Sequence, residues 1–350
     1  MKKLMNYAIY SNEKLSIDGL DAFYVGVENI LPNKKGIKPS SFVPKTGKYT
    51  KFEKYDILLG NIGPYLKKIW LADKSGLASP DVLVIKPLES RFGKYIYANL
   101  LNDSFFQYAM LGVKGSILPR CDKNHIMNYS IPDVKNKEKI GDFIYFINKK
   151  IELNNKINDN LEKQMNFIFK NMMSKAMNNK IKGEYVSVKN LTQVITGKED
   201  ANFSDENGKY KFFTCSNETL KCNEYKFNSS SILIAGNGDF NVKHYTGKFN
   251  AYQRTYVLTP QKDYYALLYL SSVERINALK LRSTGSIIKF ITKNDIESIP
   301  VFIPWDKNIL NILNQLLSLK DKKSNENEYL TSLRDYLLPL LLNGQVTIED

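Results

Sequence analysis

The sequence repeats a set of residues at a constant separation of 170 positions. Gly115, Ser116, Ile117, Lys123, Asn124 and Ile126 recur as Gly285, Ser286, Ile287, Lys293, Asn294 and Ile296. Upstream, residues 56–87 parallel residues 231–260, because both begin with a β-type apolar run, pass through Gly and Asn, and end on an apolar strand closed by proline. Several matches in the same order indicate a duplication. A chain of 350 residues is therefore expected to form two similar domains.

Each half of the repeat ends in a long stretch with helical periodicity. Residues 137–179 contain no proline, and apolar residues recur there at alternating steps of four and three; residues 306–343 carry a similar leucine seam. This spacing predicts two long helices that pair within the chain, the alternative being that each helix packs on its own domain. The residues expected at the helix interface are Ile147, Ile151, Asn154, Asn158, Leu161, Leu330, Leu333 and Leu337.

The segments between these helices have the pattern of mixed domains. Short apolar runs separated by Gly, Asn, Pro and Lys turns predict strands at Tyr55–Leu59, Val82–Ile85, Ser231–Ile234 and Tyr252–Leu258. A helix is predicted in each segment, at 95–111 and 264–282. The expected fold is α+β, with two similar mixed α/β domains separated by two long coiled-coil helices. The expected boundaries are 1–136 and 184–305 for the domains, and 137–183 and 306–350 for the helices.

The charge of the chain favours a polyanionic partner. Lys and Arg number 50 against 36 for Asp and Glu, which gives a formal net charge of +14. Nucleic acid is the favoured partner, and an anionic membrane surface is the alternative. There is no apolar run long enough for a membrane span and no signal-peptide pattern, so the protein is expected to be soluble and cytoplasmic. Three scattered cysteines predict reduced thiols rather than a disulfide framework.

Patterns that would indicate catalysis or a metal site are missing from the sequence. It has no phosphate-binding loop and no Gly-rich cofactor loop after a first strand. The two histidines, His125 and His244, lie in different halves without a paired acidic motif, and zinc-ligand spacing is missing. Both histidines are expected to be surface or capping residues. A binding protein that holds no metal is therefore expected rather than an enzyme.

Polar, basic and aromatic residues are interleaved at matching places in the two halves. Asn and Gln can read adenine, Arg can read guanine, and Lys, Ser and Thr can contact phosphates. For any one of these residues the alternative is an ordinary solvated turn. The residues predicted to contact DNA are Asn61, Tyr65, Lys67, Lys68, Lys114, Ser116 and Arg120 in the first half. In the second half they are Asn237, Asn241, Lys243, Tyr252, Gln253, Arg254, Arg282, Thr284, Ser286 and Lys289.

Taken together, these segments resemble the specificity subunits of Type I restriction-modification systems. The resemblance is carried by residues 55–68, 81–84, 115–117 and 126–132, by the helical segment 147–162, and by the ending 338–346. The helical segment is similar to the central conserved region of that family, and the ending resembles its C-terminal conserved region. The first half has no clear counterpart to the opening strand at 185–191, and Gly63 stands where relatives often carry a basic residue.

The resemblance implies a fold, a set of partner subunits, and that the catalytic activities belong to those partners. Two target-recognition domains would be separated by two conserved helices that pair antiparallel. The chain would be non-catalytic and would bind double-stranded DNA, two methyltransferase subunits and, in the full complex, restriction subunits. It would bind no cofactor itself, because S-adenosylmethionine, ATP and magnesium would belong to the partner subunits.

Two hypotheses from different classes follow. Because the loops of the two halves differ, a duplicated reader would recognise an asymmetric bipartite DNA site. The rival is a coiled-coil scaffold protein whose basic surface meets an acidic protein and which has no sequence-specific DNA binding. Sequence-specific binding to duplex DNA discriminates the two, since a scaffold would show at most salt-sensitive, sequence-blind association.

Overall fold

The computed structural model describes residues 1–17, 22–115, 119–282 and 290–348, with the backbone alone for 280–282. The chain divides into two compact units. Unit 1 comprises Met1–Lys156 and Ser324–Asp350, and unit 2 comprises Ile157–Lys323. The division falls within both long helices, so each unit contains part of each helix.

Unit 1 is built from short strands and from helices that cover them. Its strands are β1 (Lys2–Lys3), β2 (Ala8–Tyr10), β3 (Lys14–Ser16), β4 (Tyr24–Val25), β5 (Lys48–Phe52), β6 (Ile57–Gly60), β7 (Ile69–Leu71), β8 (Gly76–Ala78), β9 (Val82–Pro87) and β10 (Ser130–Ile131). Its short helices are α1 (Gly93–Leu100), α2 (Asp103–Leu111) and α3 (Lys123–Met127). The first part of the long helix α4 (Lys137–Met177) also belongs to unit 1.

The strands of unit 1 form two four-stranded sheets and a small third sheet. The orders are β2-β9-β6-β7 and β3-β5-β8-β4, and β1 pairs with β10. The apolar strands β6 and β9 are buried over almost their whole length, which is the pattern of central strands. The main core places their side chains against α1, α2 and Ile140 and Ile144 of α4.

Unit 2 contains one larger sheet. Its strands are β11 (Gly183–Ser187), β12 (Val194–Thr196), β13 (Tyr210–Phe213), β14 (Leu220–Cys222), β15 (Phe227–Ala235), β16 (Val242–Ala251), β17 (Thr255–Leu258) and β18 (Pro300–Pro304). Its helices are α5 (Val188–Leu191), α6 (Tyr265–Arg282) and α7 (Lys293–Glu297), with the first part of α8 (Lys307–Leu342). The six-stranded sheet has the order β12-β17-β15-β16-β13-β14, and β11 pairs with β18.

The duplication is visible in the sheet order. The run β2-β9-β6-β7 of unit 1 corresponds to β12-β17-β15-β16 of unit 2. The opening strand also has a counterpart, so the expectation that the first half lacks one is wrong. Strand β1 pairs with β10 as β11 pairs with β18, and Leu4 and Val188 then donate to the carbonyls of Tyr129 and Ile299. This strand could not be predicted from the sequence, because both of its residues, Lys2 and Lys3, are exposed lysines.

Two predicted helices have different outcomes. The predicted helix 264–282 is observed as α6, but the predicted helix 95–111 is two helices, α1 and α2. The break occurs at Asn102, which has an extended backbone and accepts from the N–H of Ser104 at the start of α2. An Asn side chain in that role begins a new helix instead of continuing the old one.

The long helices pair antiparallel within unit 1. Asn154 donates from Nδ2 to Asn327 Oδ1 at 3.0 Å, and Arg334 donates from Nη1 to Asn148 Oδ1 at 2.7 Å. As the residue number on α4 rises from 148 to 154, the number of the bonded residue on α8 falls from 334 to 327, so the two helices run antiparallel. In unit 2 the Lys320 ammonium lies 2.7 Å from the Glu162 carboxylate, so α4 and α8 are also in contact there.

Candidate nucleic-acid interface

Asn61 lies at the carboxyl end of β6, where two other segments of unit 1 meet it. Its main-chain N–H donates to the carbonyl oxygen of Asp81 at 2.9 Å, and its carbonyl oxygen accepts from the N–H of Cys121 at 3.0 Å. In the register of β6 with β9, Asn61 and Asp81 directly follow the last pair, Gly60 and Val82. We call these three bonded positions, 61, 81 and 121, the strand-end frame of unit 1.

Unit 2 forms the same frame with different residues. The N–H of Gly236 donates to the carbonyl of Arg254 at 2.9 Å, and the carbonyl of Gly236 accepts from the N–H of Ile291 at 2.7 Å. The last pair of β15 with β17 joins Ala235 to Thr255, so Gly236 and Arg254 again come next. The hydrogen bonds therefore match position 61 to 236, 81 to 254 and 121 to 291.

Tyr65 lies in a short 3-10 turn, Pro64–Leu66, that follows the frame of unit 1. The turn is flanked by Gly63 and Lys67, which both have left-handed backbones, with φ of 63° and 50°. Tyr65 is 58% exposed, so the turn presents an aromatic ring to solvent. A glycine at position 63 adopts this left-handed backbone without the steric cost of a Cβ.

Lys67 and Lys34 hold this turn against Asp103. Their ammonium groups lie 2.9 and 3.0 Å from the Asp103 carboxylate, and the N–H of Lys34 donates to the carbonyl of Lys67 at 3.0 Å. Burial tends to raise the pKa of Asp103, but the two lysines hold that pKa below its ordinary value. Lys67 therefore fixes the turn that carries Tyr65.

Lys114 and Arg120 bracket the segment that includes residues 116–118. Their main chains bond to each other in both directions, at 3.0 and 2.9 Å. Lys114 Nζ lies 2.5 Å from Asp122 Oδ2 and lowers the pKa of Asp122 to about 2, and Arg120 Nη1 lies 2.9 Å from Asp81 Oδ1. The Lys114 and Arg120 side chains remain 79% and 50% exposed, so both basic groups are accessible at the edge of the frame.

Lys68 and Lys243 differ from the other predicted contacts because their ammonium groups donate to main-chain carbonyls. Lys68 Nζ donates to Val27 at 2.8 Å, and Lys243 Nζ donates to Ser216 at 2.6 Å. Burial lowers the pKa of both lysines. These two side chains stabilise loops within their own units, and a DNA contact by either stays a prediction.

Loops around the frame of unit 2 carry five more of the predicted residues: Asn237, Asn241, Tyr252, Gln253 and Arg254. Asn241 donates from Nδ2 to the carbonyl of Cys215 at 2.9 Å, and Gln253 donates from Nε2 to Asp200 at 2.8 Å. Gln253 and Arg254 are exposed, whereas the other three are half-buried. The remaining predicted contacts, Ser116, Thr284, Ser286 and Lys289, lie outside the described residues, as does the side chain of Arg282.

The predicted helix interface is partly buried. Ile147, Asn154 and Leu161 are 8%, 0% and 6% exposed. The other predicted positions, Ile151, Asn158, Leu330, Leu333 and Leu337, are half-buried. Arg334, at 5% exposure, is more buried than the predicted interface residues Leu330, Leu333 and Leu337, and its guanidinium bonds to Asn148 and to Asp335.

Sequence reasoning missed the acidic residues that hold three of the predicted DNA contacts. Asp81, Asp103 and Asp200 bond to Arg120, Lys67 and Gln253, respectively. Asp81 could have been identified from the sequence, because it directly precedes an apolar strand and because the Gly-Asn turn at 60–61 recurs at 236–237. Nothing in the local sequence links Asp103 or Asp200 to its partner, because those pairs depend on the tertiary fold.

His244 is not a surface or capping residue. Its side chain is 12% exposed within β16, and its ring lies 4.5 Å from the ring of Tyr269. His125 is half-buried in α3 and its ring stacks on Tyr108; the residue that caps this helix is Asp122, whose carboxylate accepts from the N–H of His125.

The three cysteines are all buried and unpaired. Burial raises the pKa of the Cys121 thiol to about 12, so this thiol is protonated near neutral pH. Within the described ranges, no three His, Cys, Asp or Glu side chains cluster as metal ligands. No helix among those same residues is long and apolar enough to cross a membrane.

Comparisons with known proteins agree on one family. Residues 180–330 match the Type I restriction modification DNA specificity domain. The specificity subunit of the Type I restriction enzyme EcoDI from Escherichia coli is 37% identical over 171 residues, which cover 47% of this chain and 38% of that protein. The match thus spans well under half the length of this curated relative.

A solved structure supports the fold over the whole chain. The Type I restriction-modification system S subunit from M. genitalium superposes with a TM-score of 0.65 at 16% identity, covering 99% of this chain and 96% of that one. The expected α+β class, with two sheet-rich domains separated by a long helix, is confirmed. The match to the Type I restriction modification DNA specificity domain covers residues 180–330, and the resemblance of the chain to the specificity subunits of these systems is confirmed.

Proposed function

We propose that the chain is the DNA sequence-specificity subunit of a Type I restriction-modification complex and acts in the cytoplasm. Each unit reads one half of an asymmetric bipartite site. The chain also docks two methyltransferase subunits and, in the full complex, restriction subunits. The chemistry is performed by those partners, which hold S-adenosylmethionine, ATP and magnesium, while this chain selects the sequence.

The observation that carries this proposal is the pair of strand-end frames. The same hydrogen bonds position Asn61 in unit 1 and Gly236 in unit 2, and exposed basic residues lie at both frames: Lys114 and Arg120 in unit 1 and Arg254 in unit 2. Duplicated backbones with different side chains are what a reader of two different half-sites requires, since base edges are distinguished by side-chain donors and acceptors. The formal charge of +14 supplies the sequence-independent part of the affinity for DNA.

Exposed apolar residues on the long helices support the docking of partner subunits. On α4 in unit 1, Phe146 and Leu153 are 63% and 52% exposed. On α8 in unit 2, Ile312 and Leu319 are 45% and 42% exposed. Each pair is seven residues apart and so lies on one helix face, a spacing that suits the packing of another helix.

The test is to co-purify the chain with the methyltransferase subunit encoded beside it and to map the adenines that the complex methylates in DNA. A single asymmetric motif with a fixed gap is the expected result. The control is the methyltransferase subunit without this chain, which should leave no motif. A complex that forms but methylates no motif would favour the scaffold hypothesis, as would binding to duplex DNA that is equal for all sequences.

A further inference from the structure

The two frames place opposite charges at one equivalent position. Asp81 of unit 1 and Arg254 of unit 2 both accept a hydrogen bond at the main chain from the frame residue next to them. The residue before the third frame position also differs, because Arg120 precedes Cys121 whereas Phe290 precedes Ile291. Unit 1 therefore presents an acid and an arginine where unit 2 presents an arginine and a phenylalanine.

In unit 1 the two side chains bond to each other. Arg120 Nη1 lies 2.9 Å from Asp81 Oδ1, and the side chains are 50% and 38% exposed. An arginine has five N–H donors in a planar fork, so a bond through Nη1 leaves other donors of Arg120 available. Because the Asp81 carboxylate already holds one side of the guanidinium, Arg120 loses less rotamer freedom when the other side binds a ligand.

In unit 2 the corresponding arginine is arranged differently. Arg254 is exposed, and the position equivalent to Arg120 is Phe290, which is 63% exposed and cannot form an ion pair. The carbonyl of Arg254 accepts from Gly236, and Phe290 directly precedes Ile291, which donates to Gly236. Asp81 and Arg120 stand in the same relation to Asn61. The same backbone frame thus carries an arginine held by a carboxylate in unit 1 and an exposed arginine at a different frame position in unit 2.

We infer that Arg120 reads a guanine in the half-site of unit 1, that Asp81 is the positioning residue that orients Arg120, and that Arg254 reads a guanine in the half-site of unit 2. This inference rests on the proposed function. The chemistry is the bidentate pairing of a guanidinium fork with the O6 and N7 atoms of guanine in the major groove. The two half-sites differ because the fork arises from different frame positions in the two units.

The experiment uses the chain in complex with its methyltransferase subunit and measures binding to the mapped site and to all single-base changes in it. Arg120→Gln should reduce the preference for one guanine in one half-site by roughly 5- to 150-fold, and Arg254→Gln should do so in the other. Asp81→Asn should reduce the preference at the Arg120 base by about 2- to 12-fold. Arg120→Lys should lose that preference while keeping the salt dependence, because lysine keeps the charge and lacks the fork.

The matched control is Arg91→Gln. Arg91 is another exposed arginine of unit 1, paired with Glu89 at 2.7 Å, and its loss should leave every base preference unchanged. Thermal unfolding of each variant shows whether the fold is retained. If Arg120→Gln weakens binding to all sequences equally, Arg120 contacts phosphate and the inference is overturned. If Asp81→Asn leaves the preference unchanged, the positioning role is overturned. A wild-type complex with no base preference at all would overturn the proposed function instead.

Discussion

Arg334 of α8 donates from Nη1 to Oδ1 of Asn148 on α4 at 2.7 Å, and the arginine is 5% exposed. Asn148 in turn donates from Nδ2 to the carbonyl of Ile144, so its amide is held on both sides. A charged residue at this depth is tolerated only because its donors are bonded. The contact joins the two long helices within unit 1 through a polar bond rather than through leucines.

The first prediction concerns this bond. Arg334→Met keeps the length and apolar stem of the side chain but removes its donors, so Oδ1 of the half-buried Asn148 loses its partner. We expect the free energy of unfolding to fall by about 1.5–3 kcal/mol. Urea denaturation measures it. Arg91→Met is the control, because Arg91 is 60% exposed and should change stability little. An equal loss in both variants would contradict a role for burial.

The second prediction concerns the paired asparagines. Asn154 is fully buried and donates to Asn327, which donates to Asn155 Oδ1 at 2.8 Å. Asn154→Leu alone should lower the free energy of unfolding by about 1–3 kcal/mol, because Asn327 loses its donor. Combined with Asn327→Leu, part of the stability should recover, since an apolar pair carries no desolvation cost. The recovery is partial because Glu326 still loses the bond that Asn154 Nδ2 donates to it at 3.1 Å.

The recovered double variant should lose its single helix register, because a buried Asn pair selects one alignment of two helices. Spin labels on exposed sites, one on α4 and one on α8 within unit 1, would then show a broader distance distribution than in the wild-type chain. A distribution as narrow as that of the wild type would show that the surrounding contacts fix the register without Asn154 and Asn327.

Much of the fold follows from patterns that are local in the sequence. The offset of 170 residues marks equivalent positions in the two units, and apolar periodicity indicates β6, β9 and both long helices. Residues whose place depends on a distant partner were not predictable. Lys2 and Lys3 form a strand only because β10 lies beside them, and Arg334 is buried only because Asn148 accepts its bond.

The third prediction tests the docking of partner subunits. Replacing Phe146 and Leu153 together by Ser should remove an apolar pair from one exposed face of α4, so capture of the methyltransferase subunit should weaken at least tenfold. The thermal midpoint of the chain alone should not fall, because neither side chain is in the core. Lys156→Ser on the same helix is the control and should leave capture unchanged. Equal capture by all three proteins would show that partners dock elsewhere.

The fourth prediction concerns two groups of unit 2 that titrate in opposite senses. Burial, with a smaller contribution from Lys320, lowers the pKa of His244 from 6.5 to about 4 against the opposing charge of Glu162. Burial raises the pKa of Asp321 from 3.8 to about 6, against the opposing charges of Lys320 and Lys211. His244 Nδ1 lies 3.7 Å from Asp321 Oδ1. His244 is neutral near pH 7, so this contact is not an ion pair there.

The two shifts have opposite effects on stability. Between pH 6.5 and 4 the unfolded chain holds a proton on His244 that the folded chain does not, so the His244 contribution is lost as the pH falls. Between pH 6 and 3.8 the folded chain holds a proton on Asp321 that the unfolded chain does not, so the Asp321 contribution is lost as the pH rises. In the wild-type chain these two changes offset each other over the range in which they overlap.

Single substitutions should therefore tilt the stability profile in opposite directions. Asp321→Asn removes the cost of a desolvated carboxylate, so this variant should gain stability over the wild type at pH 7, and the gain should vanish as the pH falls toward 4. His244→Gln should lose stability at pH 7 through poorer packing, and this deficit should shrink as the pH falls from 6.5 to 4. Urea denaturation at half-unit pH steps, taken as the difference from the wild type, measures both slopes. Parallel profiles for the three proteins would mean that neither group has a shifted pKa in the folded chain.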